Sequence, residues 1–262
     1  TGNCYPNAMA ALTTLNLPAL TTIGGYFAPA TMAALTTISL PLIQRIGTTI
    51  TSGSVISIIS GTAALTTFQL PSSLLQVGNG AGNLNQQYLS VAIGVNAGNN
   101  GHQHSSVAVG HVAGRDSQGA DAVAVGVGAG RYNQGNYAVA IGERAGYGGD
   151  TAQGAYAVAV GARAGYNNQQ GNAIAIGRQA GNNSQGAYSV AMGWYAGNQS
   201  QNSAAVAIGE EAGRYNQNSE TVAIGSWSGH EYQGWKAVAI GSSAGNYYQG
   251  DWSVAVGLNA GR

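Results

Sequence analysis

Twelve glycines recur at near-equal intervals through the last two thirds of the chain: Gly78, Gly94, Gly110, Gly126, Gly142, Gly161, Gly177, Gly193, Gly209, Gly225, Gly241 and Gly257. The interval is 16 residues everywhere except between Gly142 and Gly161, where it is 19 and the three additional residues fall near 148–151. Most of these glycines close a Val-Ala-Ile/Val triplet and open the phrase Gly-x-x-Ala-Gly, in which Ser228 alone replaces the alanine. Eight residues after the first glycine stands a glutamine, from Gln86 and Gln118 through Gln233 to Gln249, with His102 and Asp150 in that slot in two turns. A period this short and this strict sets the architecture before any other property is considered.

Two glycines in every sixteen residues would break helices. The Val-Ala-Ile triplet instead carries the period-2 pattern of a strand with one buried face. Stacking identical turns places Val on Val and Ile on Ile, each strand pairing in parallel with its copy one turn away. The expected fold is therefore all-β, a parallel β-solenoid (β-roll) of twelve turns of about 16 residues over 78–262. At a ladder spacing of ~4.8 Å the rod would be roughly 55–60 Å long. The pattern predicts Val and Ile pointing into the roll and the intervening alanine pointing out. The polar slots are expected to form amide ladders between neighbouring turns. A core one layer thick buries little per residue, so the smooth alanine face is expected to meet another copy, around a common three-fold axis.

Residues 1–77 use a different vocabulary. Ala-Ala-Leu-Thr-Thr-φ-x-Leu-Pro, with φ apolar, occurs at 10–18, 33–41 and 63–71, with a degenerate piece at 55–59. Alternating Leu/Ile and Thr reads as strand, and each proline marks a corner. This segment is expected to be a short leucine-rich-type solenoid that caps the roll or packs on a neighbouring subunit.

Composition excludes several classes. Nine basic and nine acidic side chains cancel, so the chain is not built to neutralise a phosphate backbone and no nucleic-acid partner is expected. No apolar run approaches the ~20 residues of a membrane-spanning helix. Cys4 is the only cysteine and cannot form an internal disulfide. The carboxylates never form a recurring pair, and the Glu210-Glu211 neighbours read as solvated turn residues. No enzyme activity and no cofactor are expected. His102, His104 and His111 cluster; the His102-x-His104 spacing could hold a metal only if three copies met around an axis, and the plainer reading is solvent-facing turn residues. Aromatics gather in the polar part of the last turns, where Trp227, Tyr232, Trp235, Tyr247, Tyr248 and Trp252 are candidates to stack on sugars or on a partner. Asn182 and Asn198 stand in N-x-S sequons one turn apart.

The Val-Ala-Ile-Gly-x-x-Ala-Gly turns from about residue 75 onward resemble the head repeats of trimeric autotransporter adhesins, and similar repeats occur in fibre proteins of phages and large viruses. This unit carries Asn-Gln-Gly where the adhesin unit ends in a Ser- or Ala-rich phrase. Residues 10–77 are similar to the leucine-rich repeats of some bacterial and protist surface proteins. The resemblance implies a parallel β-roll, commonly trimeric, exposed on a cell or virion surface. The expected role is that of an extracellular structural subunit whose partners are copies of itself, as a trimer or a head-to-tail polymer. The competing reading is a surface adhesin or tail fibre that binds a glycan or receptor through its Tyr and Trp. An ice-binding role would need a flat threonine array, and threonine is concentrated outside the roll. The final Ala260-Gly261-Arg262 lies midway through a turn, which suggests either further chain or cover by another subunit's N-terminal segment.

Overall fold

The computed structural model describes residues 78–262 apart from 83, 85, 86, 88 and 150, together with the backbone of short strands at 14–16, 22–23, 37–39, 45–46, 67–69 and 74–77. Cys4, the piece at 55–59, Gln86 and Asp150 lie outside the described residues. The backbone divides into two compact units, Thr1–Leu74 and Leu75–Arg262. In the first unit, three strands pair in parallel with Thr14 opposite Thr37 opposite Thr67, and Leu15 opposite Ile38 opposite Phe68. These are equivalent positions of the three Leu-Thr-Thr copies.

The second unit is a parallel β-solenoid of about ten coils, with no helix among the described residues. One side is a twelve-stranded parallel sheet in which sequential strands are neighbours, from Leu74–Val77 to Val254–Val256. We call it the aliphatic sheet. Val107 lies opposite Val123 and Ala108 opposite Ala124, and the same register continues coil by coil. It absorbs the 19-residue interval without slipping, Val139 facing Val158. The other side begins as isolated bridges that link Leu84, Asn100, Asp116 and Tyr132 in turn. It becomes a continuous six-stranded parallel sheet from Asn167–Gln169 to Tyr247–Gln249, the amide sheet.

The core is alanine, and here the structure reverses the sequence-based expectation. Ala92, Ala108 and their copies through Ala239 have no exposed surface, and neither do the turn alanines from Ala97 to Ala244. The valines beside them are half-buried and the Ile column points to solvent, with Ile208 36% and Met192 38% exposed. The cause is size. Each coil folds back on itself across a Gly-x-x-Ala-Gly corner. The space in front of the middle residue of the triplet is taken up by the corner alanine and by a buried polar side chain reaching across from the other wall, which leaves room there for a methyl group only. A methyl built on Gly181 would already lie 3.3 Å from that of Ala175. Large aliphatics can only face outward.

So little apolar volume is enclosed that main-chain hydrogen bonds must hold the coils together. They run through turns as well as strands: Gly181 N–H donates to the Ala196 carbonyl at 2.9 Å, and Asn183 N–H to that of Asn198 at 2.9 Å. This needs unusual backbone. In the coil that starts at Ile174, the non-glycine residues Gln179, Ser184 and Tyr188 have φ of 58°, 58° and 59°. Each left-handed residue costs roughly 1–2 kcal/mol. The reversal turns the Gln179 N–H back toward the preceding coil, where it reaches the Ala162 carbonyl at 2.9 Å. A satisfied buried donor offsets that cost.

Candidate functional surfaces

The glutamine slot is an internal spine. Gln118, Gln169, Gln185, Gln201, Gln217 and Gln233 are fully or almost fully buried. Each sends its amide N–H back across the coil to the carbonyl of the first residue of the Val-Ala-Ile strand, as in Gln185 to Ile174 at 2.7 Å and Gln233 to Val222 at 2.9 Å. Several also donate to the next glutamine: Gln153 to Gln169, Gln169 to Gln185 and Gln217 to Gln233, at 3.0–3.1 Å. The amide ladder expected from sequence is thus present, but inside. In the long turn the slot belongs to Gln153, which is buried and bridges Gln134, rather than to Asp150. Tyr147 and Gly148 keep their bonds to the neighbouring coils, the Tyr132 N–H donating to the Tyr147 carbonyl and the Gly148 N–H to the Tyr166 carbonyl, both at 3.1 Å, so the additional residues fall between Gly148 and Gln153.

His102 occupies the same interior slot, with no exposed surface. Burial lowers its pKa to about 4, an effect partly offset by the Gln118 side chain. It is a core residue, not a solvent-facing one, while His104 is half-buried at the surface. The two imidazoles therefore do not present a common face for a metal. Among the described residues no three His, Cys, Asp or Glu side chains come together as a metal site would require.

Glu211 corrects a second expectation. Glu210 is exposed, but Glu211 is buried, accepting from Arg214 Nη1 at 2.7 Å and lying 3.2 Å from His230 Nε2. Trp227 stacks on the His230 ring with centroids 4.6 Å apart. The spacing of Glu211 and Arg214, three residues apart on one corner, is the signal in the sequence; His230 joins only through stacking. The sequons differ from each other as well. Asn198 is 4% exposed and donates to the Gln179 carbonyl at 2.8 Å, whereas Asn182 makes the equivalent bond to the Arg163 carbonyl from a half-buried position.

The six aromatic candidates are all exposed, yet they divide among three edges of the coil. Trp227 lies on the Gly-x-x-Ala-Gly corner, Tyr232, Tyr247 and Tyr248 on the amide sheet, and Trp235 and Trp252 on the corner before the aliphatic sheet. Tyr232 and Tyr248 stack in parallel at 4.9 Å. Trp235 and Trp252 meet edge-to-face at 4.8 Å, with Lys236 Nζ 4.1 and 4.7 Å from their ring centres. Beside Tyr232, the small side chains of Ser200 and Asn216 leave a hollow of about 260 Å³, lined also by Asn202 and Asn218.

The aliphatic sheet presents the other notable surface: two columns of Val and Ile/Val running the length of the coil stack, the outer one from Ile141 at 40% to Val256 at 63% exposed. Sequence reasoning missed it because it assigned those side chains to the core. No protein-family model, curated protein or solved structure matches this chain.

Proposed function

We propose that this chain is a structural subunit of an extracellular fibre or filament, a non-enzymatic rod that assembles through its own surfaces. The observation that carries this reading is the unbroken register from Val91 to Val256, in which the turns as well as the strands of each coil are bonded to the next. Such a stack is stiff and uniform in cross-section, and its properties do not depend on any one residue. The exposed aliphatic columns add a means of association, since monomeric proteins rarely leave contiguous apolar patches beyond about 300–600 Å² uncovered. Placement outside the cell rests on the resemblance of the repeat to adhesin heads and viral fibres. Electron microscopy of the purified chain tests the role: elongated fibres or bundles are expected, and dispersed single particles at all concentrations would remove it.

The second reading is an adhesin that binds a glycan near its last coils. It is favoured by the hollow beside Tyr232, where one aromatic ring, 47% exposed, adjoins the amides of Asn202, Asn216 and Asn218. A pyranose presents an apolar C–H face to such a ring and hydroxyls to such amides. Binding on a glycan panel that is lost in Tyr232→Ala would support it.

A further inference from the structure

We infer that the outer face of the aliphatic sheet is the seam between two copies of this chain, lying side by side and parallel along the rod. The inference deepens the fibre reading and takes its purpose from it, but its geometry stands on the sheet alone.

The face is apolar by construction. The enclosed alanines force Val and Ile outward, and Ile176, Met192, Ile208, Ile224 and Ile240 are each 36–38% exposed in one continuous column. Eleven strands at ~4.8 Å make a strip ~50 Å long and ~10 Å wide, or ~15 Å with its flanking positions. Two such faces in contact bury roughly 1,500 Å² in total, the size of a stable specific interface. The opposite face bears Asn, Ser, Gln and Tyr and offers nothing comparable.

The occupant follows from periodicity. Rows of side chains recur once per coil, and a partner with any other repeat distance would fall out of register after a few rows. A second copy carries the same repeat and matches along the whole length. A single apolar face suits a two-fold pair, since closing a three-fold ring would require two such faces on each subunit.

Direction follows from charge. Were the rods antiparallel with full overlap, Glu143 would stand opposite Glu210 and Asp121 opposite Glu220, all four exposed. In the parallel pair, the position before each strand meets the position after the same strand of the second copy. That brings Tyr188 toward Trp194 and Trp252 toward Leu258, all exposed apolar groups, and opposes no like charges.

Molar mass in solution tests the seam. Below the concentration at which fibres form, the intact chain should run at twice its 26.3 kDa. Ile208→Lys with Ile224→Lys should reduce it to the monomer with an unchanged circular dichroism spectrum, since neither side chain enters the core. Asn216→Lys, on the amide sheet, should leave the pair intact. A monomeric or trimeric wild type, or a double lysine variant that still pairs, overturns the proposal. For direction, a nitroxide at Lys236→Cys in a Cys4→Ser background should give a label separation under ~20 Å; ~40 Å would establish the antiparallel pair instead. Paired chains that never form fibres would leave the seam standing and remove the fibre role, whereas fibres built of unpaired rods would remove the seam alone.

Discussion

Gln217 and Gln233, sixteen residues apart, are joined inside the solenoid by an amide hydrogen bond of 3.0 Å, and Gln217 also donates to the Val206 carbonyl at 3.0 Å. One side chain thus closes its own coil and ties it to the next. Gln217→Leu keeps the volume and raises the hydrophobicity, yet leaves the Val206 carbonyl and the Gln233 amide oxygen buried without that donor. The expected loss is about 2–3 kcal/mol, read as a lowered denaturant midpoint. An unchanged midpoint would show that the spine is filler rather than a fastener.

The outward Ile and inward Ala make a pair of opposite predictions. Ala191→Val adds two methyl groups between walls that already touch, and should cost about 3 kcal/mol or more. Ile208→Ala removes a side chain that lies on the surface, and in the isolated chain should cost about 1 kcal/mol rather than the 2–5 of a core isoleucine. Both are measured by chemical denaturation, and the reverse ranking would restore the conventional core.

That inversion shows how far the sequence could be read. The 16-residue period gave the parallel register directly, because Val107 over Val123 is a statement about spacing alone. Which side of the strand is inside could not be read from hydrophobicity, which favours the larger residues for the core in any sheet of ordinary thickness. The decisive signal was variation within the chain. The middle position is alanine in every coil from Ala92 to Ala255, while its neighbours pass between Val and Ile and even Met192. A position that admits one small residue is confined, and a position that admits several is free. The pairing of Glu211 with His230 was hidden for a related reason: it depends on a contact nineteen residues apart across stacked corners, where no local pattern records it.

His102 places a titratable ring in the amide spine. Its folded pKa of about 4 lies below the ordinary 6.5 because burial disfavours the charged form. The unfolded chain therefore binds a proton first as the pH falls. The contribution of His102 to stability is intact above pH 6.5, is lost progressively between 6.5 and about 4, and changes no further below that. The full difference is on the order of 3 kcal/mol. His102→Gln restores the residue found at this slot in most coils and should flatten that part of the acid profile, as well as stabilise the chain at neutral pH by allowing the usual bond to the strand carbonyl. Thermal unfolding at pH 7 and pH 4.5 measures both effects. An equal loss of stability in the two proteins on acidification would assign the acid sensitivity elsewhere.

The glycine that closes each Val-Ala-Ile triplet combines two constraints that the last coils separate. Gly177 has φ of +123°, and a methyl group there would meet the Gly193 carbonyl oxygen of the next coil at 2.6 Å. Gly257 has nearly the same φ, +122°, but a methyl group there would find only the Ala260 side chain, at 4.0 Å. Gly257→Ala therefore meets the backbone strain alone, roughly 1–3 kcal/mol, confined to the final coil. Gly177→Ala meets that strain plus a clash between two main chains that cannot move without parting the stack. It should cost more than about 4 kcal/mol and expose the coils on either side to amide hydrogen exchange. Equal destabilisation by the two substitutions would mean that the glycine column is required for its dihedral angle only, and that neighbouring coils have room to separate.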